Sequence, residues 1–297
     1  MSSPENYHMD DVLVSVVIPT IGRPALLRCV LSVLAQSVET EIIVVVDRPE
    51  EYSSVVELLK PYPVKVIQNP GKGAPAARNA GVRNASGTHI AFLDDDDYWL
   101  HDKLAGQIAL LDASSKNQIV VCGTLVHRAN GKVDKNLRRK FRGKPENLGD
   151  FLLERKWPWI GNAQFCTSTL LLPIRLAIET PWDEDLPCCQ DVDLYLRLAQ
   201  VKNLKISQLR KPLTVLQQGS IGSIMSNRSP EDNLVFARKH RTKLKERGWS
   251  DFLLTHLVMP YVIRRDLESA RKAYRDEIKS FPHFGAIVRT VAAWWMR

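Results

Sequence analysis

Apolar runs and apolar periodicity alternate along the first hundred residues. Val12 to Ile18 is rich in β-branched residues and stops at Pro19, which predicts a first strand over 12–19. After the turn Thr20-Ile21-Gly22-Arg23, Pro24 suits a first helical turn. Leu26, Leu27, Val30, Leu31 and Leu34 then recur at helical spacing. Residues 41–46 predict a second buried strand, which ends at Asp47. Residues 55–59 predict a short helix, 64–67 a third strand and 69–73 a loop. Residues 74–82 predict a helix of small residues carrying Arg78 and Asn79. Ile90-Ala91-Phe92-Leu93 is a further apolar run, short and unbroken as in a buried strand. This β-α-β-α-β-α-β alternation predicts an α/β domain with a mainly parallel central sheet flanked by helices.

The later chain is less regular. Residues 103–112 predict a helix with Leu104, Ile108 and Leu111 inward. Residues 119–126 predict a strand, followed by a hairpin at Asn130-Gly131. Apolar residues from Val192 to Leu198, with Tyr195, predict another helix. From Ser229 the character changes to helical and basic. Residues 284–297 put Phe284, Ile287, Val288, Val291, Trp294 and Trp295 on one helical face. The expected division is a domain at 1–228 and a basic helical extension at 229–297. No internal repeat or low-complexity segment interrupts it.

Composition narrows the classes. The formal net charge is +8 over 297 residues, which suits an anionic substrate, an anionic membrane or nucleic acid. The five cysteines have no CxxC spacing, so reduced thiols are expected, with neither a disulfide frame nor a zinc site. The polar, acidic start predicts no signal peptide. No run of 18 apolar residues predicts a membrane-spanning helix. The flanking arginines and terminal tryptophans of 284–297 suit an interfacial helix on a membrane surface, or equally a helix packed on protein.

The candidate chemistry begins where Leu93 runs into Asp94-Asp95-Asp96-Asp97. Open α/β sheets bind ligands at the carboxyl ends of their strands. Four adjacent carboxylates repel one another unless a cation joins them. Hard oxygen ligands suit Mg²⁺ or Mn²⁺, and such a metal suits a diphosphate. Asp47 ends a second strand at the same edge. Gly71-Lys72-Gly73 could touch phosphate, although the chain has neither GxxxxGK[ST] nor GxGxxG. Asp191 opens the helix near 192–198, where spacing alone makes it a cap. Trp157 and Trp159 suit either a sugar ring or a core.

Taken together, Val14-Ser15-Val16-Val17-Ile18-Pro19-Thr20, Asp47, Gly73-Ala74-Pro75-Ala76-Ala77-Arg78-Asn79-Ala80-Gly81 and Ala91-Phe92-Leu93-Asp94-Asp95-Asp96-Asp97-Tyr98-Trp99 resemble glycosyltransferase family 2, of GT-A fold, over roughly the first hundred residues. The resemblance implies a nucleotide-binding half at about 12–100 and an acceptor half at 101–228. It implies that Asp47 and Thr20 hold the nucleotide base, that Arg78 lies near base and phosphates, that Asp94 meets the ribose and that Asp96 binds Mn²⁺ or Mg²⁺. Pro19, Ile21, Arg23 and Asp95 neighbour the donor nucleotide. Ile21-Gly22-Arg23 stands where the family usually has Tyr-Asn-Arg, so an aromatic stacked on the base is lost.

Gln190-Asp191-Val192-Asp193-Leu194 is similar to the family's Glu-Asp-x-Asp-Leu, whose second residue is the catalytic base. That assigns the base to Asp191, with Gln190 replacing a glutamate. Ser168 falls in a strand beside the donor sugar, Trp159 in the sugar region, and Ser220 and Ser223 in a loop over the phosphates.

The implied activity is inverting transfer from a nucleotide-diphosphate sugar, UDP before GDP or dTDP, to a glycan or lipid-linked acceptor. The implied location is cytoplasmic, or peripheral on the cytoplasmic face of a membrane. Two other classes share part of this pattern. A sugar nucleotidyltransferase should show a Gly-rich basic signature near the N-terminus, where this chain has Pro19-Thr20. A nucleic-acid-binding protein suits the charge but not an acidic cluster at the ligand edge of the sheet, so no nucleic-acid partner is expected.

Overall fold

A computed structural model describes residues 12–128, 130–136, 140–158, 165–218 and 229–295. The chain forms two compact units: one of residues 1–137, 163–184 and 200–221, the other of 138–162, 185–199 and 222–297.

The first unit is built on a sheet of nine described strands. Its first part follows the predicted alternation: β1 (Val14–Thr20), α1 (Leu26–Leu34), β2 (Thr40–Val46), α2 (Tyr52–Leu59), β3 (Val64–Gln68), α3 (Gly73–Arg83) and β4 (His89–Phe92). β1 pairs in parallel with both β2 and β4, and β2 with β3. β1 is buried along its whole length, as a central parallel strand covered on both faces must be. α3 lies close on β1 because Gly81 has no side chain: a Cβ there would stand 2.2 Å from Val17 Cγ1.

The second part mixes directions. β5 (Tyr98–Trp99), α4 (Lys103–Ile108), β6 (Gln118–His127), β7 (Val133–Asn136), β8 (Leu171–Pro173), α6 (Ile174–Glu179) and β9 (Lys205–Gln217) follow. β8 runs antiparallel to β4 and β6, β9 runs antiparallel to β5, and β6 pairs with β9 in parallel. The expected hairpin joins β6 to β7, with Gly131 at φ +80°. The strand order is β3-β2-β1-β4-β8-β6-β9-β5, so the parallel half and the mixed half meet at β4.

α4 stops at Ile108, short of the expected end at 112. It carries a lysine that the periodicity did not single out. Lys103 is fully buried, its Nζ has no hydrogen-bond partner, and it lies 3.6 Å from the centre of the Trp99 ring. Burial pushes the Lys103 ammonium down to about 7 from its ordinary 10.5. Between those values the unfolded chain holds a proton that the folded chain has released, so stability rises with pH across that window. Lys103→Met is expected to stabilise the protein at pH 7 by about 1–2 kcal/mol and to remove most of that rise. Melting curves between about pH 7 and 10 check it; a variant that melts lower at pH 7 overturns it.

The second unit is helical. α5 (Leu148–Leu153) and α7 (Gln190–Leu198) join α8 (Asp232–Lys239), α9 (Glu246–Leu253), α10 (Met259–Ile263), α11 (Leu267–Glu277) and α12 (Phe284–Trp295). Asp193 is fully buried and binds α7 to α8: its carboxylate lies 2.7 Å from His240 Nε2, 2.7 Å from Lys239 Nζ and 2.8 Å from Arg197 Nε. Burial alone would raise the Asp193 carboxyl, but these donors hold it well below the usual carboxylate range. Asp251, also buried, accepts from Arg155 N and His283 N.

A π-helical turn at Leu254–Val258 leads into α10. Pro260 has no N–H for the carbonyl of His256, and Asn233 Nδ2 takes that acceptor at 3.0 Å. Among the described residues, no helix is long and apolar enough to cross a membrane.

Candidate functional site

Three backbone ends converge at the carboxyl edge of the parallel strands. Asp47 N donates to Thr20 O at 2.8 Å, Asn69 N to Val46 O at 2.8 Å, and Leu93 N to Val17 O at 3.1 Å. The loops after β1, β2 and β3 therefore start at one level and β4 ends three residues lower, opposite Val17, all at the edge where a sheet of this kind binds ligands.

Asp47 and the start of α3 form one cluster. Asp47 Oδ1 accepts from Asn69 Nδ2 at 2.6 Å and from Gly73 N at 2.7 Å. Gly73 has φ +85°, a conformation that glycine adopts without steric cost. Asn69 Oδ1 in turn accepts from Gly71 N at 3.1 Å. Asn69 stood only in an expected loop, with no signal that it would orient Asp47.

The four acids form a turn, with Asp97 N donating to Asp94 O at 3.0 Å. That turn separates them. The Asp94 and Asp96 side chains are 34% and 19% exposed, whereas Asp95 is 1% and Asp97 6% exposed. Asp95 is held underneath by Thr20 Oγ1 at 2.6 Å and by an ion pair with Arg23. Burial pushes its carboxyl up, and Thr20 and Arg23 pull it part of the way back. Asp97 accepts from Ser168 Oγ at 2.7 Å and Gln217 N at 3.1 Å. Burial first, then repulsion from Asp94 and Asp96, pushes the Asp97 carboxyl well up. The buried thiol of Cys29 is raised by burial and by the same four acids.

Arg78 pairs with Asp94 at 2.5 Å and lies 4.5 Å from the centre of the Trp182 ring. Its neighbour Asn79 donates to Trp182 O at 2.9 Å and Glu184 Oε1 at 2.8 Å, and accepts from Trp182 N at 2.8 Å. Glu184 is a polar neighbour of this edge that one acid among Asp183, Glu184 and Asp185 did not announce. Ser168 is buried: besides holding Asp97, its Oγ accepts from Asp94 N at 3.2 Å.

Pro19, Thr20, Ile21, Arg23, Asp47, Arg78, Asp94, Asp95, Asp96 and Ser168 thus all belong to the sheet unit. Asp191 and Gln190 belong to the helical unit. Asp191 lies half-buried in the first turn of α7, where its Oδ1 accepts from Val192 N at 2.8 Å. Gln190 Nε2 donates to Leu186 O at 2.9 Å, and Cys189 before it is in the left-handed region at φ 55°. Trp159, Ser220 and Ser223 lie outside the described residues.

Among the described residues, no three His, Cys, Asp or Glu side chains gather as a ready-made metal cage. A Mg²⁺ or Mn²⁺ site does not need one, since such ions commonly take one or two carboxylates plus phosphate oxygens and water. The partly exposed pair Asp94 and Asp96, on the outer side of one turn, fits that donor set.

Residues 15–172 match the family model for glycosyl transferase family 2. The chain is 35% identical over 107 residues to WfgD of Escherichia coli, a UDP-Glc:α-D-GlcNAc-diphosphoundecaprenol β-1,3-glucosyltransferase; the match covers 35% of this chain and 42% of WfgD. It is 27% identical over 216 residues to AmsB of Erwinia amylovora, an amylovoran biosynthesis glycosyltransferase, covering 69% of each. The chain spans less than half the length of several curated relatives it matches. Among solved structures, S. aureus TarS 1–349 in complex with UDP-GlcNAc superposes with a TM-score of 0.64 at 17% identity, over 95% of this chain and 89% of that one.

Proposed function

The chain belongs to glycosyltransferase family 2 and has the GT-A fold, and from that premise we propose that it moves a sugar from a nucleotide-diphosphate sugar to a hydroxyl of a glycan or lipid-linked acceptor, with inversion. The observation that carries the reading is the acidic turn, which presents Asp94 and Asp96 outward and keeps Asp95 and Asp97 beneath them.

Each residue then has a task. Asp47 uses Oδ1 for Asn69 and Gly73, which turns Oδ2 toward an N–H of the base. Uracil, thymine and guanine each offer such a donor at the ring edge, and cytosine offers an acceptor at its N3. Thr20 and Arg23, fixed on Asp95, shape the turn beside the base, together with Pro19 and Ile21. Asp94 meets the ribose, and Arg78, held by it, faces the phosphates. Asp96, with Asp94 beside it, would hold the Mn²⁺ or Mg²⁺, which when bound offsets charge growing on the departing diphosphate. Asp191 takes the proton of the acceptor hydroxyl as that oxygen attacks the anomeric carbon. One displacement inverts that carbon, and the nucleoside diphosphate leaves with the bonding electron pair.

WfgD, which resembles about a third of this chain, is named for a UDP-glucose donor and a diphosphoundecaprenol acceptor. On that basis UDP is the first donor base to test, and a polyprenyl-linked glycan at the cytoplasmic face of a membrane the first acceptor. A thermal-shift panel of UDP-, GDP- and dTDP-sugars, with and without Mn²⁺, tests the donor. One base class is expected to stabilise the protein only with metal, by about 2.7 kcal/mol at a hundredfold excess over Kd. Stabilisation by none of them sinks the reading.

A further inference from the structure

The chain's positive charge is concentrated at one end. Residues 229–297 hold fourteen Lys and Arg against eight Asp and Glu, a net +6 of the whole chain's +8. Apolar exposure is concentrated there too. Six of the fourteen exposed large apolar side chains among the described residues fall between Leu267 and Trp295. Phe281 is 72% exposed, Phe284 61%, Val291 53% and Trp295 78%. Isolated exposed apolar residues are ordinary, but a cluster of aromatics marks a contact surface.

A cavity of about 490 Å³ opens between α11 and α12, floored by Leu254, Val258 and Ala270. Phe281, Val291 and Tyr274 stand at its mouth and are exposed, so the cavity is open to solvent. A second hollow of about 350 Å³ shares Val262, Leu267, Thr290 and Val291 with it and extends the groove to Trp294. This volume is in the range of pockets that take small apolar ligands. Arg271 lines the groove and is exposed, and Lys272 and Arg275 follow it on α11.

We infer that this face of the helical unit docks on an anionic phospholipid bilayer, with Phe281, Phe284 and Trp295 entering the headgroup region, an acyl chain in the groove, and the α11 basic side chains on lipid phosphates. Charge complementarity selects that occupant: residues 264–297 hold eight Lys and Arg against four Asp and Glu, although within α11 itself Glu268, Asp276 and Glu277 balance Arg271, Lys272 and Arg275. Basic residues flanking an aromatic, amphipathic helix match the physics of interfacial binding, in which apolar burial and attraction to acidic lipid add. Aromatic rings favour the headgroup level. The inference deepens the proposed use of a lipid-linked acceptor, but its test needs neither donor nor turnover. The two can therefore fail separately.

The test is sedimentation of the full chain with three vesicle types: phosphatidylcholine alone, phosphatidylcholine with phosphatidylglycerol, and phosphatidylcholine doped with a polyprenyl phosphate. Binding is expected to the phosphatidylglycerol vesicles, at least about tenfold over phosphatidylcholine alone, and to weaken as salt is raised. Phe281→Ser and Trp295→Ser are each expected to weaken it about tenfold, and Arg271→Glu by a similar factor. Thr290→Phe, which narrows the groove, is expected to weaken it severalfold. Val235→Ser, on α8 and half-exposed, is expected to bind like the wild type. Unchanged melting curves for these surface variants separate lost docking from lost folding. Equal binding to neutral and acidic vesicles, no binding, binding only to the polyprenyl phosphate vesicles, or wild-type binding by Phe281→Ser and Trp295→Ser overturns the inference.

Discussion

Asp191→Asn is expected to lower the rate of sugar transfer about 10²–10⁴-fold while leaving donor affinity unchanged. The amide has the shape of the carboxylate but cannot accept the proton that an attacking hydroxyl must lose. The substitution is also the one that separates the two readings of this residue. Asp191 Oδ1 accepts from Val192 N in the first turn of α7, and an acid in that turn favours the helix end with no catalytic task. Asparagine gives up only that charge, worth about 0.3–1 kcal/mol, so a helix-end role alone predicts a small loss of stability and an unchanged rate. A proton acceptor predicts unchanged melting and a collapsed rate.

Asp193, two residues on, supplies the contrast. It is fully buried and committed to His240, Lys239 and Arg197, so it fixes where α7 begins and has no surface to offer a substrate. Single-turnover transfer with saturating donor measures the rate, and thermal shift with the same donor measures binding. Retained transfer removes Asp191 from the base role.

The parallel half of the fold was legible because its signals are local. Apolar runs such as Val14–Ile18, interrupted only by Ser15, and Ile42–Val46 have one favourable fate, a strand covered on both faces. The turn residues at their ends, Thr20 and Asp47, then fall at the ligand edge by topology alone. What was not legible is non-local. Four consecutive aspartates look equivalent in the sequence. Their separation depends on Arg23, on Ser168 some seventy residues later and on Gln217 later still. The composition of the helical unit was hidden for the same reason. α7 is bound to α8 by a carboxylate and a histidine 47 positions apart, although the change of composition at Ser229 suggested a boundary between them. α4 shows a third limit: periodicity marks Leu104 and Ile108 as inward, but not that Lys103 is buried over Trp99.

Asp96→Ala is expected to remove the metal-dependent part of donor stabilisation and to lower transfer at least about 10²–10³-fold, the equivalent of several kcal/mol of charge stabilisation. The turn holds its four carboxylates in different ways. Asp95 and Asp97 are buried and hydrogen-bonded within the protein, so truncating either should first disturb the turn. Asp94 is paired with Arg78 at 2.5 Å. Asp96 is partly exposed, with Arg23 4.0 Å away. It stands with Asp94 on the outer side of the turn, where a divalent cation can reach it, and removing it relieves repulsion on buried Asp97. The apo protein should then melt no lower than wild type, while the Mn²⁺-dependent shift with nucleotide sugar is lost. Thermal shift with Mn²⁺ titrated against fixed donor reads both quantities. A full metal-dependent shift in Asp96→Ala would move the metal assignment off Asp96; loss of the shift with a large fall in apo stability would place Asp96 among the residues that build the turn.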